Sequence, residues 1–93
     1  MKRLDIIISE KELPSVLKAL DAAKCPGYSV MKHVTGKGPN SQVSEDMEFT
    51  GLGANAHVIV FCERNVIVTI KENLSKILDY YGGVAYLSEA ENL

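Results

Sequence analysis

The stretch Asn65 to Tyr80, NVIVTIKENLSKILDY, decides the fold. Its first part, Val66-Ile67-Val68-Thr69-Ile70, has the β-branched composition of a strand, and residue propensity alone assigns it so. The spacing argues otherwise. Ile70, Leu74, Ile77, Leu78 and Tyr81 recur at helical intervals, with Lys71, Glu72, Ser75 and Lys76 between them. Arg64-Asn65 supplies a capping residue in front, and Gly82-Gly83 ends the run. Residues 65–80 therefore read as a helix.

Outward from this helix the remaining elements follow. Val84 to Leu87 makes a short final strand, and Ser88 to Leu93 is an acidic, loose tail. Ala54 to Cys62 reads as a strand that is apolar on both faces, Val58 and Val60 on one, Ile59 and Phe61 on the other. Such a strand needs two covers. Helices supply one; in so small a chain the second cover is expected from another subunit. Leu4 to Ile8 is a buried strand at the start. Ser9 or Glu10 then begins a helix, with Pro14 tolerated in its first turn. Leu13, Val16, Leu17 and Leu20 form its apolar stripe, Ala23 extends it, and Cys25-Pro26-Gly27 stops it. Tyr28 to Val34 is a second strand. The order strand, helix, strand, strand, helix, strand is the split βαβ pattern of an α+β ferredoxin-like fold. Two right-handed crossovers place both helices on one face of a four-stranded antiparallel sheet and leave the other face bare.

The chain has 93 residues, enough for a single domain over residues 1–93 and one modest core. A domain this small needs a further source of stability. Its two cysteines, Cys25 and Cys62, form neither a disulfide framework nor a CxxC motif. They read as buried free thiols in a reducing compartment, which leaves oligomerisation as the source. The formal net charge of −2 argues against a general nucleic-acid binder. The apolar run after Met1-Lys2-Arg3 is far too short for a signal peptide or membrane span. A soluble, cytoplasmic protein is expected.

One connection breaks the pattern. Roughly twenty residues from Thr35 to Gly53 carry almost no periodicity, where a hairpin needs two to five. They include Gly36, Gly38, Pro39, Asn40, Gly51 and Gly53, with Glu45, Asp46 and Glu48 between. Since the flanking strands are clear, the segment reads as functional. Thr35-Gly36-Lys37-Gly38 suits an anion: glycines let successive N–H groups approach a phosphate, and Lys37 adds a point charge. A glycine-rich hairpin exit with a solvated lysine is the plain alternative. Val43, Met47 and Phe49 are more apolar groups than a solvated loop requires and read as anchors for a partner. His33 and His57 lie on strands that pair, yet no third ligand of suitable placement accompanies them, so no metal site is assigned. No nucleophile–base arrangement or facing carboxylate pair points to catalysis; the chain reads as a non-enzyme.

Together these residues resemble the PII-like signalling proteins over nearly the whole chain. Met1-Lys2-Arg3-Leu4-Asp5-Ile6-Ile7-Ile8 is similar to the PII first strand, and Leu13 to Ala22 falls where the first PII helix does. Gly27-Tyr28-Ser29-Val30 followed by Gly36-Lys37-Gly38 resembles the approach to the PII T-loop, here about residues 35–54. With Asp79-Tyr80-Tyr81-Gly82-Gly83-Val84-Ala85-Tyr86, these motifs are most similar to the bicarbonate-transporter-associated branch (SbtB) and its carboxysome-linked relatives. The resemblance implies a homotrimer with helices outside and an adenine nucleotide (AMP, ADP, ATP or cyclic AMP) in each cleft between subunits. It places that ligand at Thr35, Gly36, Lys37, Gly38, Gly27, Tyr28, Ser29, Gly82 and Gly83. It also implies a T-loop that contacts a target such as a transporter's cytoplasmic face, possible modulation by bicarbonate, and no required cofactor. The phosphate-binding lysine of the PII B-loop and the basic C-terminal segment have no counterpart here, which favours a less charged ligand than a triphosphate. The rival on the same topology is a CutA-like, metal-handling trimer.

Overall fold

The computed structural model describes residues 1–35 and 54–93. Four strands, β1 (Lys2–Ser9), β2 (Ser29–Val34), β3 (Asn55–Cys62) and β4 (Val84–Glu89), form one antiparallel sheet in the order β2-β3-β1-β4. Two helices, α1 (Leu13–Ala22) and α2 (Arg64–Tyr81), pack on one face of it and on each other. This is the expected α+β ferredoxin-like arrangement.

The alternation of β1 organises both layers. Leu4, Ile6 and Ile8 point beneath the helices and are buried, opposite Val60, Val58 and Ala56 of β3. Val16 and Leu20 of α1 and Ile67, Ile70 and Leu74 of α2 close this core from above. In α2 the helical period prevails over strand propensity: Ile67 and Ile70 are buried while Val68, between them, is 63% exposed. Packing of one apolar stripe outweighs the small intrinsic cost of β-branched residues in a helix.

Several boundaries differ from the sequence reading. A short 3-10 turn, Glu10–Glu12, precedes α1, so Pro14 falls in the first turn of the α-helix proper. Glu63 rather than Arg64-Asn65 is the N-cap of α2, and it makes no side-chain cap bond. The tail is less loose than expected. Ser88 and Glu89 extend β4, Glu89 pairs with Lys2 in register and by an ion pair, and the Ala90 N–H donates to the Met1 carbonyl at 3.1 Å. No helix among the described residues is long and apolar enough to cross a membrane.

Candidate functional site

Among the described residues, the other face of the sheet carries no helix. By register it presents Arg3, Asp5 and Ile7 of β1, His57, Ile59 and Phe61 of β3, Met31 of β2 and Tyr86 of β4. Phe61, Met31 and Tyr86 are exposed, at 46, 43 and 58%. A polar cluster interrupts the apolar surface at its centre. The Arg3 guanidinium donates twice to Asp5, from Nε at 2.9 Å and from Nη2 at 3.0 Å, and lies 5.7 Å from the centre of the Phe61 ring. His57 Nε2 sits 2.8 Å from Oδ1 of that carboxylate, the oxygen that also accepts from Arg3 Nη2. Hydrogen bonding from Arg3 is the main cause that holds the Asp5 carboxyl below the usual range; partial burial opposes it and His57 adds to it. Among the described residues, the charged groups of this face are thus partnered with one another.

The two histidines do not converge. His33 lies at an irregularity in β2 with φ of 60°, and its Nδ1 is 3.1 Å from Glu10 Oε2. His57 faces Met31 and pairs with Asp5. Among the described residues no cluster of three or more potential metal ligands forms.

The residues expected at the ligand are distributed over the two edges of the sheet. Gly27 and Tyr28 precede the edge strand β2, Ser29 begins it, and Thr35 follows it; all four are exposed. Gly82 and Gly83 lie at the start of the opposite edge strand, β4. Three inter-strand spacings separate those edges, about 14 Å. One chain therefore does not bring Gly27, Tyr28 and Ser29 together with Gly82 and Gly83. Gly36, Lys37 and Gly38, and the partner-loop residues Val43, Met47 and Phe49, lie outside the described residues.

Gly82 and Gly83 have positive φ, 87° and 104°. Gly82 donates its N–H to the Leu78 carbonyl at 2.8 Å and closes α2. Gly83 passes so close to β1 that a Cβ there would stand 2.8 Å from the Ile7 carbonyl oxygen. This pair is thus required for the turn itself, whatever else it touches. Glu10, which the sequence reading used only as a helix start, makes contacts at the roots of the long connection. Its carboxylate accepts the His33 N–H at 2.7 Å, and its own N–H donates to the Ala54 carbonyl at 3.0 Å.

A four-stranded antiparallel sheet with helices on one face and, among the described residues, an uncovered second face defines a ferredoxin-like module. The Nitrogen regulatory protein P-II family matches the chain over residues 1–93, and the chain belongs to that family. Among solved structures it is similar to CPII, a nitrogen regulatory PII-like protein from Thiomonas intermedia, bound to ADP, AMP and bicarbonate. The TM-score is 0.79 at 21% identity, over 94% of this chain and 82% of that one. The apo form of the same CPII matches with a TM-score of 0.73 at 20% identity, over 94% and 85%. A PII-like signalling protein from Thermus thermophilus matches at 0.71 and 17% identity, over 94% and 83%. No curated protein matches the chain.

Proposed function

We propose that the protein is a trimeric, non-enzymatic PII-like regulator that binds an adenine nucleotide between subunits and controls a target through residues 35–54. The observation that carries this reading is that Gly27, Tyr28 and Ser29 on one side and Gly82 and Gly83 on the other, the residues expected at the ligand, lie at opposite edges of one sheet. Laying the β2 edge of one copy beside the β4 edge of the next makes one cleft from two incomplete halves. Closed into a ring of three, the same contacts turn the bare face, with Ile59, Phe61 and Met31, toward the shared axis. CPII, of the same fold, is bound to ADP, AMP and bicarbonate, which supports an adenine nucleotide here and bicarbonate as a modulator. The SbtB-like branch and a transporter as target extend this reading. The metal-handling alternative gains nothing from the histidines, each of which is engaged by a different carboxylate.

Light scattering during gel filtration should report about three chain masses, and calorimetry should detect AMP, ADP, ATP or cyclic AMP. A stable monomer, or no heat with any of the four, refutes the proposal. Lys37→Ala should weaken binding about ten- to a hundredfold, the loss of one charge-assisted phosphate contact of about 1.5–3 kcal/mol. Unchanged affinity would remove Lys37 from the site.

A further inference from the structure

We propose that Glu10 is a positioning residue of the nucleotide site, tying the end of β2 and the start of β3 to the turn that leaves β1. This rests on the nucleotide reading above. A single residue bonds the chain on both sides of the long connection. Glu10 Oε2 receives the His33 N–H at 2.7 Å and stands 3.1 Å from His33 Nδ1. The Glu10 N–H bonds the Ala54 carbonyl at 3.0 Å. Thr35 follows His33 by two residues, so the carboxylate sets where the backbone stands as it approaches the ligand.

The local geometry explains why a side chain is needed. Pairing between β2 and β3 runs in register through Met31↔His57 and resumes at Val34↔Asn55, with an irregularity between. Within it His33 adopts φ of 60°, a conformation that non-glycine residues adopt uncommonly and histidine more readily than most. An out-of-register N–H has no carbonyl waiting across the ladder, and a residue held at positive φ needs surrounding contacts to stay there. The Glu10 carboxylate supplies the bond. The Glu10 side chain is 23% exposed and that of His33 80%, so the bond stands at the surface, held from the Glu10 side.

Charge and position predict opposite results for the same substitution. A carboxylate near a phosphate site, acting by charge alone, repels the ligand, so its removal would tighten binding. A carboxylate that positions the backbone, once removed, weakens binding. Glu10→Ala is expected to lower affinity for ADP about tenfold in calorimetry. Glu10→Gln, which keeps an acceptor oxygen at the same reach, is expected to restore it to within about threefold of the parent. Glu10→Asp keeps the charge but is one methylene short, and is expected to resemble Glu10→Ala. Hydrogen exchange gives a second reading without ligand. The His33 amide should exchange faster in Glu10→Ala and Glu10→Asp than in Glu10→Gln, while the amides of Leu4 to Ile8 remain as protected as in the parent. Equal or tighter ADP binding by Glu10→Ala overturns the proposal, as does Glu10→Asp behaving like the parent. Absence of binding by the parent chain itself is a different failure, and overturns the nucleotide reading on which this one rests.

Discussion

Replacing Gly83 by alanine tests the turn that delivers the chain into β4. The added Cβ would stand 2.8 Å from the Ile7 carbonyl oxygen, 3.2 Å from Ile8 Cγ1 and 3.2 Å from Leu78 Cδ2. The Leu78 methyl can rotate away. The carbonyl cannot, because β1 is a central strand held on both sides, by β3 and by β4. Residues 82–84 must then move outward, which strains the Ile7↔Val84 pairing. Two costs add. Holding a residue with a Cβ at φ of 104° costs of order 1–3 kcal/mol. Overpacking against a fixed backbone costs about 1–3 kcal/mol more. A total loss of about 2–6 kcal/mol is a large part of the stability of a domain this size. Urea unfolding at one fixed chain concentration is the suitable assay, because the proposed association would make the midpoint depend on concentration. Gly27→Ala is the internal control: nothing lies within 4 Å of a Cβ there and its φ is not in the left-handed region, so stability should hold or rise by up to about 1 kcal/mol. A Gly83→Ala loss below about 1 kcal/mol would show that the turn can shift freely and would refute the reasoning.

Two further outcomes are expected. The folded-state pKa of Asp5 is depressed, chiefly by Arg3; its stabilisation is therefore complete above the unfolded carboxylate value of about 4 and is lost as pH falls through the lower folded value. Asp5→Asn should cost about 1 kcal/mol at neutral pH, since Arg3 is partly exposed, and should flatten the fall in urea midpoint below about pH 4; an undiminished fall would assign the acid sensitivity elsewhere. Burial foremost, then the charges of Cys25 and Glu63, pushes the Cys62 thiol up, so an uncharged alkylating agent should modify Cys25 in the native protein and Cys62 only after denaturation; peptide mass mapping that finds Cys62 modified first would contradict its burial.

The parts of the fold that could be read from the sequence were those governed by local spacing. Ile67, Ile70 and Leu74 are three and four residues apart, so one helix face explains them although their composition favours a strand. Leu4, Ile6 and Ile8 alternate with Arg3, Asp5 and Ile7, which is a strand's period. What could not be read depends on partners distant in sequence. Nothing near Ser88 and Glu89 shows that Lys2 waits opposite to extend β4. Nothing near Glu10 shows that its carboxylate meets the His33 N–H, because the irregularity that frees that N–H has no signature in Met31-Lys32-His33-Val34. The glycines expected at the ligand stand out along the chain, yet the placement of Gly27 and of Gly82-Gly83 at opposite sheet edges appears only once the strand order is known.

β1 serves two masters one residue apart. Its even positions, Leu4, Ile6 and Ile8, hold the helices; its odd positions, Arg3, Asp5 and Ile7, look out on the bare face. Since adjacent side chains of a strand point to opposite faces, the requirements of folding and of the proposed self-association fall on separate letters of one short word. A protein engineer seeking an isolated subunit would edit Ile7, Ile59 and Phe61 and leave the even positions alone. Deleting Leu4 would transpose the two alphabets beyond that point, placing Asp5 where the interior tolerates only hydrocarbon.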